Sequence, residues 1–488
     1  MKVTFVYPDF FQYDEEHYLT EGRIYLGIGY LSSYLKKEGH QTRLIHLIRP
    51  VTEEEFSALL GSTDPDLVAF SSTTHLFPHV RKWVSWSKKS FPEVLTICGG
   101  AHPTIDPDDA LFSSELDIIC LGEGEEALAE LCSTLEEGRD FRRIPSLWIK
   151  EKGEVIRNPV RPLIEDLDQL PFPDREIFDP ANFCEQQHER GALMASRGCP
   201  YNCSYCSNHV QKKVYPNPEK YVRFRSVDNV MREVHQIIEQ DREKRLRYIR
   251  FDDDILTLNK EWLRELVTRY AREVNLPFIC NSRANLMDEE MAILLSEAGC
   301  SVVCMGIESG NHEIRRRVLN RPMSEEKILE AFRLCRKYGI KTVSTNMTAL
   351  PGEGVSELLD TIKLNARAQP NCMQVSTFHP YPHTRLYNLC KEEGLLSDRH
   401  ADTIFDGRTP LDSLLFKTPE FRKAQASFYP LAELYSRAFE LGKWGKPLEY
   451  LLDRIFLGKT IPWVWRDAVL QPMLRWAERH SRFEWIYY

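Results

Sequence analysis

Three cysteines, Cys199, Cys203 and Cys206, lie in one short run, CPYNCSYC, and no fourth stands near them. A structural zinc ion takes four ligands, and His209, just beyond Cys206, would complete a Cys₃His set. Three thiolates suit another chemistry too. A 4Fe-4S cluster held at three of its irons leaves the fourth open to a ligand that is not protein. Structural zinc staples small domains that lack a core, which a chain of 488 residues does not need. Thiols kept for packing account poorly for three at this spacing.

The apolar run ALMAS (192–196) leads into the cysteines and reads as the first of six strands. RYIRF (247–251), FICNS (278–282), VVCMGI (302–307), TVSTNMTAL (342–350) and MQVSTF (373–378) follow. Helical patterns such as NKEWLRELVTRYAREV, EEMAILLSEAG and EEKILEAFRLCRKYG fill the gaps. Six such repeats predict a partial TIM-like (β/α)₆ barrel with the cysteine loop at its C-terminal mouth. Ahead of it, VTFVY (3–7), TRLIHLI (42–48), DLVAFSS (66–72), VLTICGG (94–100) and DIICLGEGE (117–125) alternate with helices, among them one from about Pro78 to Ser90. Strands apolar on both faces predict a five-stranded, doubly wound, Rossmann-like domain, with ligand loops after Tyr7, Ser71, Gly100 and Gly122. A proline-rich acidic connector carries a hairpin around Lys152-Gly153. The expected class is α/β, with domains at 1–143, 188–395 and 396–488 and a linker at 144–187.

The balance of 42% hydrophobic and 28% charged residues is that of a soluble globular chain. A net charge of −9 offers no general attraction to nucleic acid, and Arg315-Arg316-Arg317 reads as a solvated helix face. The opening MKVTFVYPDFF is too short an apolar run for a secretory core or a membrane span. The expected location is the cytoplasm, where 13 cysteines would not form a disulfide framework. The aromatic helical C-terminal region reads as a cap on the barrel, with a hydrophobic-substrate pocket or peripheral membrane contact as its other uses.

CPYNCSYC has the C-x₃-C-x-aromatic-C form and resembles the radical S-adenosylmethionine superfamily. Phe251-Asp-Asp-Asp, Asn281-Ser-Arg283, Gly306-Ile-Glu-Ser-Gly, Leu350-Pro-Gly-Glu and Tyr381-Pro look like that family's marks, strand by strand. The resemblance implies that Cys199, Cys203 and Cys206 hold the cluster. The open iron would then chelate the amino and carboxylate groups of S-adenosylmethionine, with Tyr205 near the adenine. Arg283, Glu308, Ser309 and Asn346 would face the same molecule, since a guanidinium binds a carboxylate bidentately and a carboxylate accepts ribose hydroxyls or an ammonium. Asp252 would position substrate or S-adenosylmethionine. Where relatives often carry Pro-Gly-Thr, this chain has Pro382-His383-Thr384, which makes His383 a candidate for the active site. Tyr205, Asp252, Glu308 and His383 are thus the expected catalytic residues.

The first domain has no G-x-G-x-x-G, and Ser71-Ser-Thr-Thr ends its third strand where a receiver domain needs aspartate. Gly99-Gly-Ala-His-Pro-Thr and Gly122-Glu-Gly-Glu look instead like the cobalamin-binding domain fused to such barrels. Expected cobalamin contacts are Ser71, Thr73, Thr74, Gly99, Gly100, His102, Pro103, Thr104, Gly122, Glu123, Gly124 and Glu125. The D-x-H-x-x-G element is missing. His17 and His75 are the candidates for a ligand below cobalt, but the resemblance favours no protein ligand there. It implies a cobalamin-dependent radical S-adenosylmethionine enzyme that methylates an unactivated carbon of a small molecule whose identity the sequence does not reveal. The 5′-deoxyadenosyl radical and methylcobalamin would do so, with electrons from flavodoxin or ferredoxin. Ring formation, ring contraction or another oxidative rearrangement is the alternative, and a cobalamin- or zinc-binding regulator the non-enzymatic one. A methylthiotransferase acting on transfer RNA would need three further cluster cysteines in the first domain, which has no such set. In the expected arrangement the Gly100 and Cys206 loops face one another.

Overall fold

A computed structural model describes residues 1–12, 18–19, 24–179, 191–241, 246–396, 418–457, 471–477, 479–480 and 484–485. They form two compact units. The first comprises Met1–Asp253 with Pro380–Leu389, and the second Asp254–His379 with Cys390–Leu396 and the C-terminal helices.

In the first unit the expected alternation appears. The elements are β1 (Lys2–Pro8), α1 (Leu26–Lys37), β2 (Gln41–Leu47), α2 (Glu53–Thr63), β3 (Leu67–Ser71), α3 (Phe77–Ser90) and β4 (Leu95–Gly99). After them come α4 (Ala101–Ile105), α5 (Pro107–Phe112), β5 (Ile118–Cys120) and α6 (Glu125–Glu136). Local chemistry sets several boundaries: Thr52 and Glu55 form a reciprocal capping box on α2. The parallel order β2-β1-β3-β4-β5 is doubly wound, with one apolar core against α1 and α6 and another against α2 and α3. The sheet is larger than expected. The hairpin at Lys152-Gly153, whose φ values of 50° and 86° suit a two-residue turn, joins β6 (Leu147–Glu151) to β7 (Glu154–Arg157). Both strands extend the sheet antiparallel beside β5, so this part of the connector belongs to the first domain.

Also in this unit, β8 (Ala192–Leu193) and β11 (Ile249–Phe251) pair in parallel as the first two barrel strands. Between them, β9 (Ser196–Arg197) pairs antiparallel with β10 (Arg223–Phe224), and α7 (Asn208–Gln211) and α8 (Val227–Gln240) complete the segment.

The second unit carries the other four barrel strands, β12 (Phe278–Ser282), β13 (Cys300–Glu308), β14 (Lys341–Thr348) and β15 (Cys372–Thr377), all parallel and in sequence order. They alternate with α10 (Glu289–Glu297), α11 (Glu325–Lys337) and α12 (Val355–Ala368), and α9 (Lys260–Glu273) precedes them. Glu484–Trp485 adds a short parallel strand beside β15. The C-terminal helices α13 (Pro419–Ala426), α14 (Phe428–Glu440) and α15 (Lys446–Leu457) bury Phe428, Leu431, Tyr435, Leu452 and Ile455 in one core with Leu358 and Ile362 of α12. No described helix is long and apolar enough to cross a membrane.

Candidate functional site

The cysteine loop leaves β9 through Gly198, whose φ of 87° and closeness to the Tyr221 carbonyl exclude a side chain. Cys203 is buried, Cys199 and Cys206 are half-buried, and the Cys206 N–H donates to the Cys203 carbonyl at 3.2 Å. Tyr205 is half-buried in the same turn. Asp253 braces the loop from behind, accepting from the Ala195 N–H at 3.2 Å and from the Ser196 hydroxyl. Its burial pushes that carboxyl up to about 6. Asp252 is half-buried and paired with Arg250 on its own strand.

Among the described residues no three His, Cys, Asp or Glu side chains converge on a single metal ion. Thiolates that each take a different iron of a cubane need no such convergence, so the loop fits a cluster better than it fits zinc. His209 points the same way. Burial holds its pKa below the ordinary value, and its Nε2 accepts from the Arg385 N–H at 3.2 Å, which in the neutral ring leaves the proton on Nδ1. No lone pair remains for a metal.

Residues Pro380–Leu389 return to this unit as a strap. The Leu386 N–H donates to the Ser204 carbonyl at 2.9 Å, and the Tyr381 hydroxyl lies 3.3 Å from His75 Nε2. Burial, with the Cys206 thiolate nearby, pushes Tyr381 up to about 12. His383 adopts φ 60° and sits 3.4 Å from Asp106, with its side chain 58% exposed. This pairing takes it to the first domain's surface. His17 lies outside the described residues.

At the C-terminal ends of β1, β3, β4 and β5 a cavity of about 210 Å³ opens between Tyr25, Ser71, Gly100, Cys120, Glu123 and Arg197. Gly100, at φ 100°, brings backbone so close that an added Cβ would stand 2.7 Å from the Ser72 carbonyl. Gly122, at φ 80°, lies under the Tyr215 ring, and its added Cβ would be 2.8 Å from that hydroxyl. Thr73 supplies a buried hydroxyl with no hydrogen-bond partner, and Thr74 is buried beside it. Bare backbone and a cavity at strand ends fit a bulky ligand, while Thr73 and Thr74 lie outside the cavity lining.

Several residues expected to touch that ligand are committed elsewhere. His102 is fully buried and bonds Asp109 at 3.1 Å, and Pro103 is buried with it. The Thr104 hydroxyl donates to the Gly100 carbonyl at 2.7 Å and accepts from the Gly122 N–H at 3.0 Å, stitching the two glycine loops together. Both Glu123 oxygens are occupied, by Arg197 and Arg223 at 2.9 Å and by the Ile164 N–H at 3.0 Å, and Glu125 takes Arg197 at 2.6 Å. Burial alone would raise Glu123, but the two guanidiniums overcome it and hold the carboxyl below its ordinary range. Arg197 stands beside the cysteine loop, so these pairs fasten the Gly122 turn to it. Helix α4, which begins at the Gly100 turn, also packs on α7, just past Cys206. The helices that follow the Gly100 and Cys206 loops therefore pack together.

In the second unit Arg283 is buried at the end of β12, with its Nε on Asn285 at 2.8 Å. Glu308 ends β13 at φ 64°, a left-handed conformation that a non-glycine residue adopts only under constraint. Its carboxylate folds back over Gly306, accepts from Thr345 Oγ1 at 3.4 Å and lies 4.0 Å from Arg321. Arg321 donates to the Gly306 carbonyl at 2.8 Å, while Arg315 donates to the Ser309 and Gly310 carbonyls at 2.7 and 2.6 Å. Arg316 and Arg317 are the solvated residues the sequence suggested, but Arg315 is fully buried. This clamp on the Glu308-Ser309 turn was missed because its partners are carbonyls, which no charge pattern reveals. Asn346 departs from its expected role: its amide is spent on Ser344, Gln374 and Asn365 inside the unit.

Two family models match this chain: the B12 binding domain over residues 24–132 and the radical SAM superfamily over residues 193–364. An uncharacterised methyltransferase of Pyrococcus horikoshii is 29% identical over 415 residues, 83% of this chain and 87% of the relative. An anaerobic magnesium-protoporphyrin IX monomethyl ester cyclase of Rubrivivax gelatinosus is 24% identical over 79% of this chain and 69% of its own length. Among solved structures, the radical S-adenosylmethionine methyltransferase TsrM of Kitasatospora setae, solved with cobalamin and a [4Fe-4S] cluster, aligns with a TM-score of 0.63. That alignment covers 80% of this chain and 75% of TsrM at 18% identity.

Proposed function

We propose that this chain, which belongs to the cobalamin-dependent radical S-adenosylmethionine enzymes, is a C-methyltransferase acting on an unactivated carbon of a small molecule. The observation that carries the proposal is the attachment of the Gly122 turn to the cysteine loop through Arg197, Glu123 and Arg223. A methyl carrier and a radical generator that serve one substrate carbon must be held at a fixed separation.

When bound, the cluster with S-adenosylmethionine supplies a carbon-centred radical and cobalamin supplies a methyl group. The chain does the rest. Cys199, Cys203 and Cys206 would hold the cluster, which would bind S-adenosylmethionine. Glu308 and Ser309, on a turn clamped by Arg315 and Arg321, orient that molecule together with Arg283. Gly99, Gly100, Gly122 and Gly124 let backbone approach the corrin. His75 is engaged by the Tyr381 hydroxyl at 3.3 Å, which would disfavour it as a ligand to cobalt. We place the enzyme in the cytoplasm, with flavodoxin or ferredoxin as electron donor and no nucleic-acid partner.

The cyclase relative favours a second reading, in which the substrate radical closes a ring. Methyl-labelled S-adenosylmethionine separates the two. With substrate and reconstituted enzyme, methyl transfer puts the label in the product, and a turned-over product without label refutes it.

A further inference from the structure

Helix α15 has one face in the C-terminal core, through Leu452 and Ile455, and one in solvent. From Leu441 to Ile455 the exposed residues are Leu441, Gly442, Lys443, Trp444, Lys446, Pro447, Tyr450, Leu451 and Arg454. Trp444 is 87% exposed and Tyr450 61%, far beyond what a water-facing surface gains from aromatic rings. Trp444 lies in the 3₁₀ turn Gly442–Gly445 that leads into α15, and on α15 Pro447, Tyr450, Leu451 and Arg454 recur at three and four residues, so these four share one helical face.

Fully exposed charge from Leu441 to Ile455 is positive, although Lys446 is paired with Glu449 at 3.1 Å and the exposed Glu440 borders the patch. Lys443, Lys446 and Arg454 are exposed, and no carboxylate between Leu441 and Ile455 is. Asp453 turns inward to Lys363 at 2.7 Å and accepts from the Tyr435 hydroxyl at 2.7 Å, while Glu449 is half-covered beneath Lys446. Glu440, just before the patch, reaches Gln369. On a chain whose net charge is −9, this is a local reversal of sign.

We infer that this face docks on the surface of an anionic lipid bilayer, with Trp444, Leu441, Tyr450 and Leu451 at the headgroup level. Lys443, Lys446 and Arg454 would reach the lipid phosphates, their alkyl stems lying along the apolar boundary. A protein partner would call for complementary shape. This face offers instead a convex helix with aromatic rings flanked by flexible cations, which matches a fluid, negatively charged surface. The inference does not depend on the catalytic reading.

The test is flotation of the full-length protein with vesicles of phosphatidylcholine alone or with about a third phosphatidylglycerol. The protein should float with the anionic vesicles only, and high salt should release it. Each cation near an anionic surface contributes about fivefold to partitioning, so Lys443→Glu with Lys446→Glu should lower it at least 25-fold. Trp444→Ala should lower it roughly tenfold. All three positions are exposed, so the variants fold as the parent does. Absence of binding to anionic vesicles, or binding indifferent to these substitutions, overturns the proposal. So does gel filtration showing a dimer that Trp444→Ala converts to monomer, which would assign the face to a second copy of the chain.

Discussion

Gly306→Ala isolates the role of Glu308 from the stability of the fold. An alanine Cβ at 306 would overlap Glu308 Oε1 and stand 2.9 Å from Arg321 Nη2. Both are tips of side chains, so the carboxylate swings away while strand β13 stays in place. Displacing it costs about 1 kcal/mol of rotamer strain. A stiffer unfolded chain returns roughly 0.4–1 kcal/mol. The melting temperature should therefore move by only a few degrees. Binding of S-adenosylmethionine should change far more, because a hydrogen bond to an ionised carboxylate contributes about 1.5–3 kcal/mol. That corresponds to a Kd roughly 10- to 150-fold weaker. Calorimetric titration of S-adenosylmethionine into reconstituted enzyme measures it, with iron and cobalt contents confirming that both cofactors are retained. If Kd is unchanged both here and in Glu308→Gln, Glu308 does not touch S-adenosylmethionine, and its left-handed backbone serves the turn alone.

Gly100→Ala should behave differently, since its Cβ would meet Ser72 backbone at 2.7 and 3.0 Å at a φ of 100°. Loss of roughly 1–3 kcal/mol from the backbone alone should lower the melting temperature and cobalamin retention together, and unchanged cobalt content would contradict the cradle. Arg197→Gln leaves Glu125 without its guanidinium and should cost about 3 kcal/mol. It should uncouple the reaction, with S-adenosylmethionine still cleaved while methylated product falls, and a parallel fall in both would remove the positioning role. Glu353 is 1% exposed, and burial pushes its carboxyl up to about 8. Between the ordinary carboxylate pKa and about 8 the folded chain holds a proton that the unfolded chain has lost. Stability should therefore fall as pH rises through that window, by up to about 1.4 kcal/mol per unit. Melting curves from pH 5 to 8 should slope less in Glu353→Gln, and equal slopes would refute the assignment.

The cysteine loop was legible because its chemistry is local: three thiols and an aromatic within eight residues need no knowledge of the fold. The glycine turns were legible for the same reason, since Gly100 and Gly122 announce backbone that a side chain would obstruct. Residue type misled where partners come from afar. His102, Thr104, Glu123 and Asn346 have the right groups for binding, but Asp109, Gly122, Arg197 and Asn365 claim them. Arg315 sits in a run of arginines and looked solvated, and only the closed turn shows it beneath the Ser309 carbonyl. The Lys152-Gly153 hairpin was visible from its turn chemistry, whereas its addition to the sheet depends on β5, distant in sequence.

The strap at Pro380–Leu389 bears on how the protein is made. Ser204 and His209, which frame the cysteine loop, receive partners from Leu386 and Arg385. A nascent chain must therefore synthesise the whole stretch Asp254–His379 before Ser204 and His209 can gain these partners. Fragments ending near Asp253 would carry Cys199, Cys203 and Cys206 and still lack the segment that supplies these hydrogen bonds.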